Sequence, residues 1–368
     1  MKIEVLQEKL SKSLNISSRF VANRAQLPIL NNVMLDGNKT KLSIYATNLE
    51  MSAVISIGSK VTTSGKITVP SRILTDIITN LSPGNVSLEA EKEQLKISAG
   101  SFNCNLMGIN ASDFPNVPSV LSKASFKLPY DLLLKALLKT LFCVSNDEAR
   151  PILTGVLFVF GSSGLTLVAT DGFRLSLKKI PFKTDIKDQR VVIPKNILLE
   201  ISKLLKSDSL NVEFNEDSNQ ALFQFEDIVL SSRIIDGEFP DFEKIIPKSF
   251  EVTVNLGKEG FAQAVKLSSV FARESSNVIK LTIKKDGLTV SSESEKAGTQ
   301  TSHLDAKVEG LTNDLVVAYN FRFIEEFLNV IEGEDVGIEL TDSTSPGVFK
   351  DPKDPNFLHL IMPVKIQG

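Results

Sequence analysis

The chain has 368 residues, 42% hydrophobic and 23% charged, with 44 acidic against 41 basic side chains and a formal net charge of −3. This is the composition of an ordinary globular protein without low-complexity tracts, and it lacks the basic excess of most nucleic-acid binders. The most apolar stretch, Leu132 to Val144, is interrupted by Lys135 and Lys139 and is too short to span a bilayer. The start, Met1-Lys2-Ile3-Glu4-Val5, lacks the apolar run of a signal peptide, so a cytoplasmic protein is expected. Cys104 and Cys143 match no metal or redox spacing and are expected as reduced thiols.

In chain order, a helix is predicted from Leu6 to Phe20, then strands over Leu27–Ile57 turning at Asp36-Gly37-Asn38. After Val69-Pro70 comes a helix whose apolar positions, Ile73, Leu74, Ile77, Ile78 and Leu81, share a face. Val86–Ala90 and Leu95–Ala99 alternate as a half-buried hairpin should, and Asp113–Pro118 with Ser122–Ser125 reads as a linker. A helix from Tyr130 to Cys143 follows. Ile152–Phe160 reads as a strand, Gly161-Ser-Ser-Gly164 as its turn, Leu165–Ala169 as a second strand, and Thr170-Asp171-Gly172 as a bend leading into Arg174 and a further strand. The helix after Pro194 carries Ile197, Leu198, Ile201, Leu204 and Leu205, and precedes strands Leu210–Phe214 and Ala221–Phe225. Lys258–Arg273 is a helix; Asn277–Leu281 and Leu288–Ser292 form a hairpin about Asp286-Gly287. The helix after Tyr319 presents Ile324, Phe327, Leu328 and Ile331, and Val336–Leu340 and Phe357–Ile366 close the chain as strands.

These elements repeat. Pro28 and Pro151 are 123 residues apart, Pro70 and Pro194 are 124 apart, and Pro194 and Tyr319, like Pro115 and Pro240, are 125 apart. An offset near one third of the chain, too long for a solenoid repeat, means three copies of one domain, expected at 1–122, 123–250 and 251–368. Two helices per copy over antiparallel strands give an α+β class. Basic residues gather on the helices (Lys9, Lys12, Arg19, Arg72, Lys135, Lys139, Lys195, Lys203, Lys206, Lys258, Lys266, Arg273, Arg322), while acidic ones favour the hairpins.

Convergent reactive groups are scarce. His303 and His359 lack the spacing of a metal pair, and Asp171 is explained by its turn. Asp351 and Asp354 suit either a cation or a prolyl surface loop, and no phosphate-cradling glycine loop or nucleophile elbow is present. A binding protein without catalytic residues, cofactor or metal is expected. The alternatives are a triplicated-domain enzyme with Asp171 and Arg174 in a cleft, or a monomeric peptide-binding scaffold.

The threefold repeat, Arg24 upstream of Leu27-Pro28-Ile29-Leu30, Ala169-Thr170-Asp171-Gly172-Phe173-Arg174-Leu175, Asp113-Phe114-Pro115, Glu238-Phe239-Pro240 and the terminal Ile361-Met362-Pro363-Val364-Lys365-Ile366 resemble the bacterial sliding-clamp family, the beta subunits of DNA polymerase III. The resemblance covers the whole chain. It implies three DNA-clamp domains, a head-to-tail homodimer closed into a six-domain ring around double-stranded DNA, and a processivity role without catalysis. It implies DNA-facing Arg24, Arg72 and Lys195, with an acidic Asn146-Asp147-Glu148 loop where the family often carries Gln. It implies a peptide groove of Leu153, Thr170, Gly172, Arg174, Leu175, Pro240, Ile245, Asn320, Phe323, Thr344, Pro346, Leu360, Met362 and Pro363. The groove would take Gln-Leu-x-Leu-Phe-like segments of the DNA polymerase III alpha subunit and other polymerases, the clamp-loader delta subunit, and repair and initiation-control proteins. Phe173, where many members have His, Lys244 in place of Arg, and the extra Gln367 and Gly368 depart from the family pattern. Cys104 and Leu106 would face Val270 and Phe271 of the partner copy, with plain core as the alternative for the latter pair.

Overall fold

The computed structural model describes residues 1–22, 27–122, 125–182, 188–204, 209–215 and 218–365. Arg24, Leu205, Lys206 and the residues after 365 therefore lie outside the described residues. The chain divides into two compact units, Met1–Asp131 with Leu205–Ile234, and Leu132–Leu204 with Ile235–Gly368.

Unit one holds a five-stranded antiparallel sheet, in the order Lys60–Thr63, Lys2–Leu6, Asn85–Glu91, Gln94–Ala99 and Phe102–Met107. It also holds an eight-stranded sheet, in the order Phe126–Pro129, Ser209–Asn215, Gln220–Phe225, Ile228–Arg233, Met51–Gly58, Lys41–Thr47, Asn32–Asn38 and Gly65–Pro70. Helices α1 (Gln7–Ser17) and α2 (Ser71–Asn80) pack on each other. Leu74 and Ile78, four apart on α2, are fully buried, whereas Ile73, expected on the same face, is exposed. One residue of helix rotates a side chain by about 100°, which carries Ile73 out of the buried stripe.

Unit two holds a nine-stranded sheet, in the order Gln189–Pro194, Gly155–Gly161, Gly164–Thr170, Arg174–Pro181, Phe357–Ile361, Gly347–Lys350, Asp335–Leu340, Val252–Gly257 and Lys307–Glu309. A four-stranded sheet runs Gly298–Leu304, Gly287–Ser294, Val278–Lys284, Leu315–Asn320. Helix α3 (Tyr130–Leu138) starts at the sequence boundary, and α4 (Lys195–Ser202), α5 (Lys258–Ala272) and α6 (Phe321–Val330) belong to this unit. Its larger core joins Phe261 and Val265 of α5 to Phe321, Ile324 and Phe327 of α6 and to Tyr319, Phe349 and Phe357 of the strands.

Several boundaries differ from the expectations above: the strands expected from Leu27 begin at Asn32 after a 3-10 turn over Pro28–Asn31, and the helix expected from Leu6 to Phe20 is Gln7–Ser17 followed by a 3-10 turn. The strand expected from Ile152 begins at Gly155, because Pro151–Leu153 is a 3-10 turn in which the N–H of Thr154 donates to the Pro151 carbonyl at 2.9 Å. Proline has no N–H for a ladder and its fixed φ suits the first turn of a helix. The helix expected to reach Cys143 stops at Leu138 and resumes as a 3-10 turn over Leu141–Cys143, and the last strand ends at Ile361.

Candidate functional site

The bend at 170–174 is built from its own side chains. Gly172 takes φ +92°, a region costly for residues with a Cβ. The Asp171 carboxylate accepts the N–H groups of Phe173 (2.9 Å) and Arg174 (3.0 Å), and the Thr170 hydroxyl donates to the Arg174 carbonyl at 2.6 Å while accepting the Gly172 N–H. Arg174 then turns inward. Its guanidinium donates to Asp171 (3.1 Å), to the Phe142 carbonyl (2.8 Å) and to Glu326, and lies over the Phe323 ring at 4.4 Å and the Phe142 ring at 5.4 Å. At 8% exposure it is a framework cation whose three nitrogens each donate to the protein.

From that bend the Arg174–Pro181 strand runs antiparallel to Phe357–Ile361, with Arg174 opposite Ile361 and Leu175 opposite Leu360. The pairing continues one step further, the Met362 N–H donating to the Phe173 carbonyl at 2.8 Å, and the tail then crosses to Ala318, whose carbonyl accepts the Val364 N–H at 2.8 Å. Alternation puts Phe173, Leu175, Leu360 and Met362 on one face. Leu175 and Leu360 are buried there beside Phe242 and Val348, with Ile152 and Ile246 packed alongside, while Phe173 is 60% and Met362 36% exposed. Gly347 pairs with Ile361, which sets Pro346 beside Met362. Asn320 caps α6, accepting the Arg322 N–H at 3.0 Å. Asp342 fastens the 342–346 turn; the Ser345 hydroxyl and the N–H and hydroxyl of Thr344 hold its carboxyl well below the usual range.

Of the expected groove residues, Leu153, Thr170, Arg174, Leu175 and Leu360 are buried; Asn320, Phe323, Pro346 and Pro363 are half-buried; Gly172, Pro240, Ile245, Thr344 and Met362 are exposed. The surface is thus an apolar strip with a stiff, charge-neutralised frame. Phe142 and Glu326, which fix Arg174, were not singled out in sequence; no spacing links positions 142, 174 and 326.

Elsewhere, Arg72 is exposed on α2, and Lys195 opens α4 with its ammonium on the Asn146 side chain at 3.2 Å. Asp147 of that loop is paired with Arg150 at 3.1 Å, and the Ala149 N–H, ahead of Arg150, lowers its pKa. Cys104 is half-buried and Leu106 buried on the Phe102–Met107 edge strand, whereas Val270 is 60% exposed and Phe271 half-buried on α5, so plain core does not describe that pair. Lys139, expected among the helix-borne basic residues, is 5% exposed and bonded to Asp354 at 2.6 Å. Asp354 also holds Lys178, and Asp351 accepts three backbone N–H groups, so neither carboxylate is open to a cation.

One cluster has the look of a nucleophile with its base. The Cys143 thiol lies 3.2 Å from the Ser176 hydroxyl, which is 2.8 Å from Nδ1 of His359. All three are fully buried, and burial pushes the thiol up to about 12 and the imidazole down to about 3. Both groups are neutral, the reverse of an activated thiolate–imidazolium pair, so the cluster is a piece of the core.

Family models of the DNA polymerase III beta subunit match in sequence order: the N-terminal domain over residues 1–118, the central domain over 127–241 and the C-terminal domain over 243–365. The chain is 30% identical to the beta sliding clamp of Synechococcus elongatus with full coverage of both, and 28% identical to that of Staphylococcus epidermidis over 99% of each. Among solved structures, the DNA polymerase sliding clamp of Bacillus subtilis (28% identity, TM-score 0.93) is covered along 100% of both chains, and the DNA polymerase III beta chain of Streptococcus pneumoniae (26%, 0.93) along 99% of this chain and 100% of that one.

Proposed function

Since this chain belongs to the DNA polymerase III beta-subunit family, the beta sliding clamps, we propose that two copies close head to tail into a ring around double-stranded DNA and tether polymerases to it. It is a processivity factor of three tandem clamp domains, which we place at 1–122, 123–250 and 251–368, and the family's role is non-catalytic. The observation that carries the ring is the bookkeeping of strand edges. Phe102–Met107, Ile228–Arg233 and Phe357–Ile361 are the same strand of the three repeats, and Met51–Gly58, Arg174–Pro181 and Gly298–Leu304 are another. Ile228–Arg233 pairs with Met51–Gly58, and Phe357–Ile361 with Arg174–Pro181. The third such pair, Phe102–Met107 with Gly298–Leu304, consists of two sheet edges left open among the described residues. A second copy can fill both, and an open edge is a ready template for that. Carrying the register over from Ser52–Ser231 and Leu175–Leu360 sets Asn105 opposite Thr299 of the partner copy. Cys104 and Leu106 flank that position, with Val270 and Phe271 as the apolar helix surface nearby in the contact.

DNA held by a closed ring needs only weak phosphate contacts, for which Arg24, Arg72 and Lys195 are assigned, and a net charge of −3 is compatible with it. The strip around Met362 is assigned to short peptides with Leu and Phe anchors. Their sources would be the polymerase III alpha subunit and other polymerases, the clamp-loader delta subunit, and repair and initiation-control proteins. The setting would be the cytoplasm; among the described residues no helix is long and apolar enough to cross a membrane. Fluorescence anisotropy of a labelled Gln-Leu-x-Leu-Phe peptide tests the groove. Saturable binding that is lost when the chain is cut after Ile361 supports it, and no binding by the full-length protein refutes it.

A further inference from the structure

The strand pair that carries the peptide strip at one end carries a cluster of lysines at the other. Five residues separate Arg174 from Lys179, about 17 Å of extended strand. There the Lys179 N–H donates to the Asn356 carbonyl, and α3, the strand end and the 351–356 loop enclose a cavity of about 490 Å³.

Its floor is a closed ion cluster. Asp354 bridges Lys139 (2.6 Å) and Lys178 (2.6 and 2.8 Å), and these opposed ammonium groups hold its pKa below the ordinary carboxylate value despite the opposing effect of burial. The loop above is fixed by Asp351, 1% exposed, which accepts the N–H groups of Glu332, Gly333 and Lys353. Around this rigid base stand three further lysines, Lys135, Lys179 and Lys353, all exposed and, among the described residues, with no ion pair or side-chain hydrogen bond, against one exposed carboxylate lining the cavity, Glu332. Two cations are neutralised and three are not.

We infer that Lys135, Lys179 and Lys353 form a contact site for the phosphodiester backbone of duplex DNA, separate from Arg24, Arg72 and Lys195. The inference rests on the clamp reading and adds a site to it. Lysine ammonium groups on flexible stems are point charges that hold a phosphate without fixing its direction, and among the described residues no arginine fork or aromatic ring lines the cavity to read a base. Such contacts are sequence-independent and exchange easily, as sliding requires.

The test is the salt dependence of binding between a labelled short duplex and the full-length protein, across about 50 to 200 mM salt. It compares wild type, the triple variant Lys135→Gln, Lys179→Gln, Lys353→Gln, and a control triple variant at exposed turn lysines, Lys39→Gln, Lys92→Gln, Lys285→Gln. Each phosphate contact contributes about 0.9 to the slope of log affinity against log salt, so the site variant is expected to lose about 2 to 3 from that slope while the control keeps it. Unchanged peptide affinity in both variants establishes that they are folded. A wild-type slope in the site variant overturns the inference alone. No duplex binding by wild type overturns the inference alone, because a closed ring needs only weak contacts and is released from linear DNA. Displacement of the duplex by inorganic phosphate at fixed ionic strength, or loss of poly-glutamate binding with duplex binding intact, would reassign the lysines to a small anion or an acidic segment.

Discussion

Arg174 is the side chain on which the shape of the peptide strip depends. Truncation to Ala would remove the guanidinium donor from Asp171 Oδ2, Glu326 and the Phe142 carbonyl and leave Phe323 without the plane it lies against. Breaking a buried ion pair from one side costs about 3–5 kcal/mol, and the half-exposed Glu326 places the expected loss for Arg174→Ala at the lower end, read from urea unfolding. A change under about 1 kcal/mol would mean that the network contributes little. His359 supplies a pH signature. Its folded-state pKa is lowered to about 3, first by burial and then by the Arg174 charge. Below pH 6.5 the unfolded chain takes up a proton that the folded chain refuses, so stability present above pH 6.5 is lost as pH falls toward 3. His359→Asn is expected to flatten the fall of the urea midpoint between about pH 6.5 and 4 relative to wild type; parallel profiles would contradict the buried neutral imidazole. Neither role was visible in sequence, where His359 is one of two histidines without a metal-like partner. Burial and the neighbours Cys143 and Ser176 come from strand pairing across more than 180 residues.

At the scale of elements, the sequence was most legible where period and turn chemistry agree. The Gly161–Gly164 hairpin, the Asp171-Gly172 bend and the helices after Pro70, Pro194 and Tyr319 stand where their patterns put them. It was less legible where proline opens a 3-10 turn, as at Pro151, because an apolar run such as Ile152–Phe160 has the same composition in either conformation. Partners were least legible: Lys139, expected on a helix amid other basic residues, lies in the turn after α3 and is buried against Asp354, an acceptor 215 residues away. The tail yields a prediction at this scale. Met362 closes the strip beyond Leu360 and is held by the Phe173 carbonyl, so Met362→Ala is expected to weaken peptide binding by about 1–3 kcal/mol, measured by anisotropy. Equal affinity would place the anchor elsewhere. Helix α5 yields another. Val270 and Phe271 offer apolar surface that nothing in their own unit buries completely, and Val270→Glu with Phe271→Glu would set charge into the proposed contact. Sedimentation is expected to give a monomer near 40.3 kDa for that double variant; a dimeric one would remove α5 from the interface.

At the scale of the whole molecule, repetition carried the reading. Offsets of 123 to 125 residues were enough to count three domains before any strand was paired. Which strands meet was not in the offsets, since the two filled junctions pair strands about 180 residues apart. Seen as pairs of equivalent strands, two of three junctions are filled within the chain, and the third is the one we propose a second copy fills. Closure also reconciles an acidic chain with DNA, because retention by topology replaces retention by charge. The most direct test is retention on DNA of different topology. The protein is loaded onto a nicked circular plasmid with a bacterial clamp loader and ATP, separated by gel filtration, and the plasmid is then cut once. A clamp stays with the circular DNA and is released when it becomes linear; equal retention on both forms, or no retention by a dimeric protein, would contradict the ring.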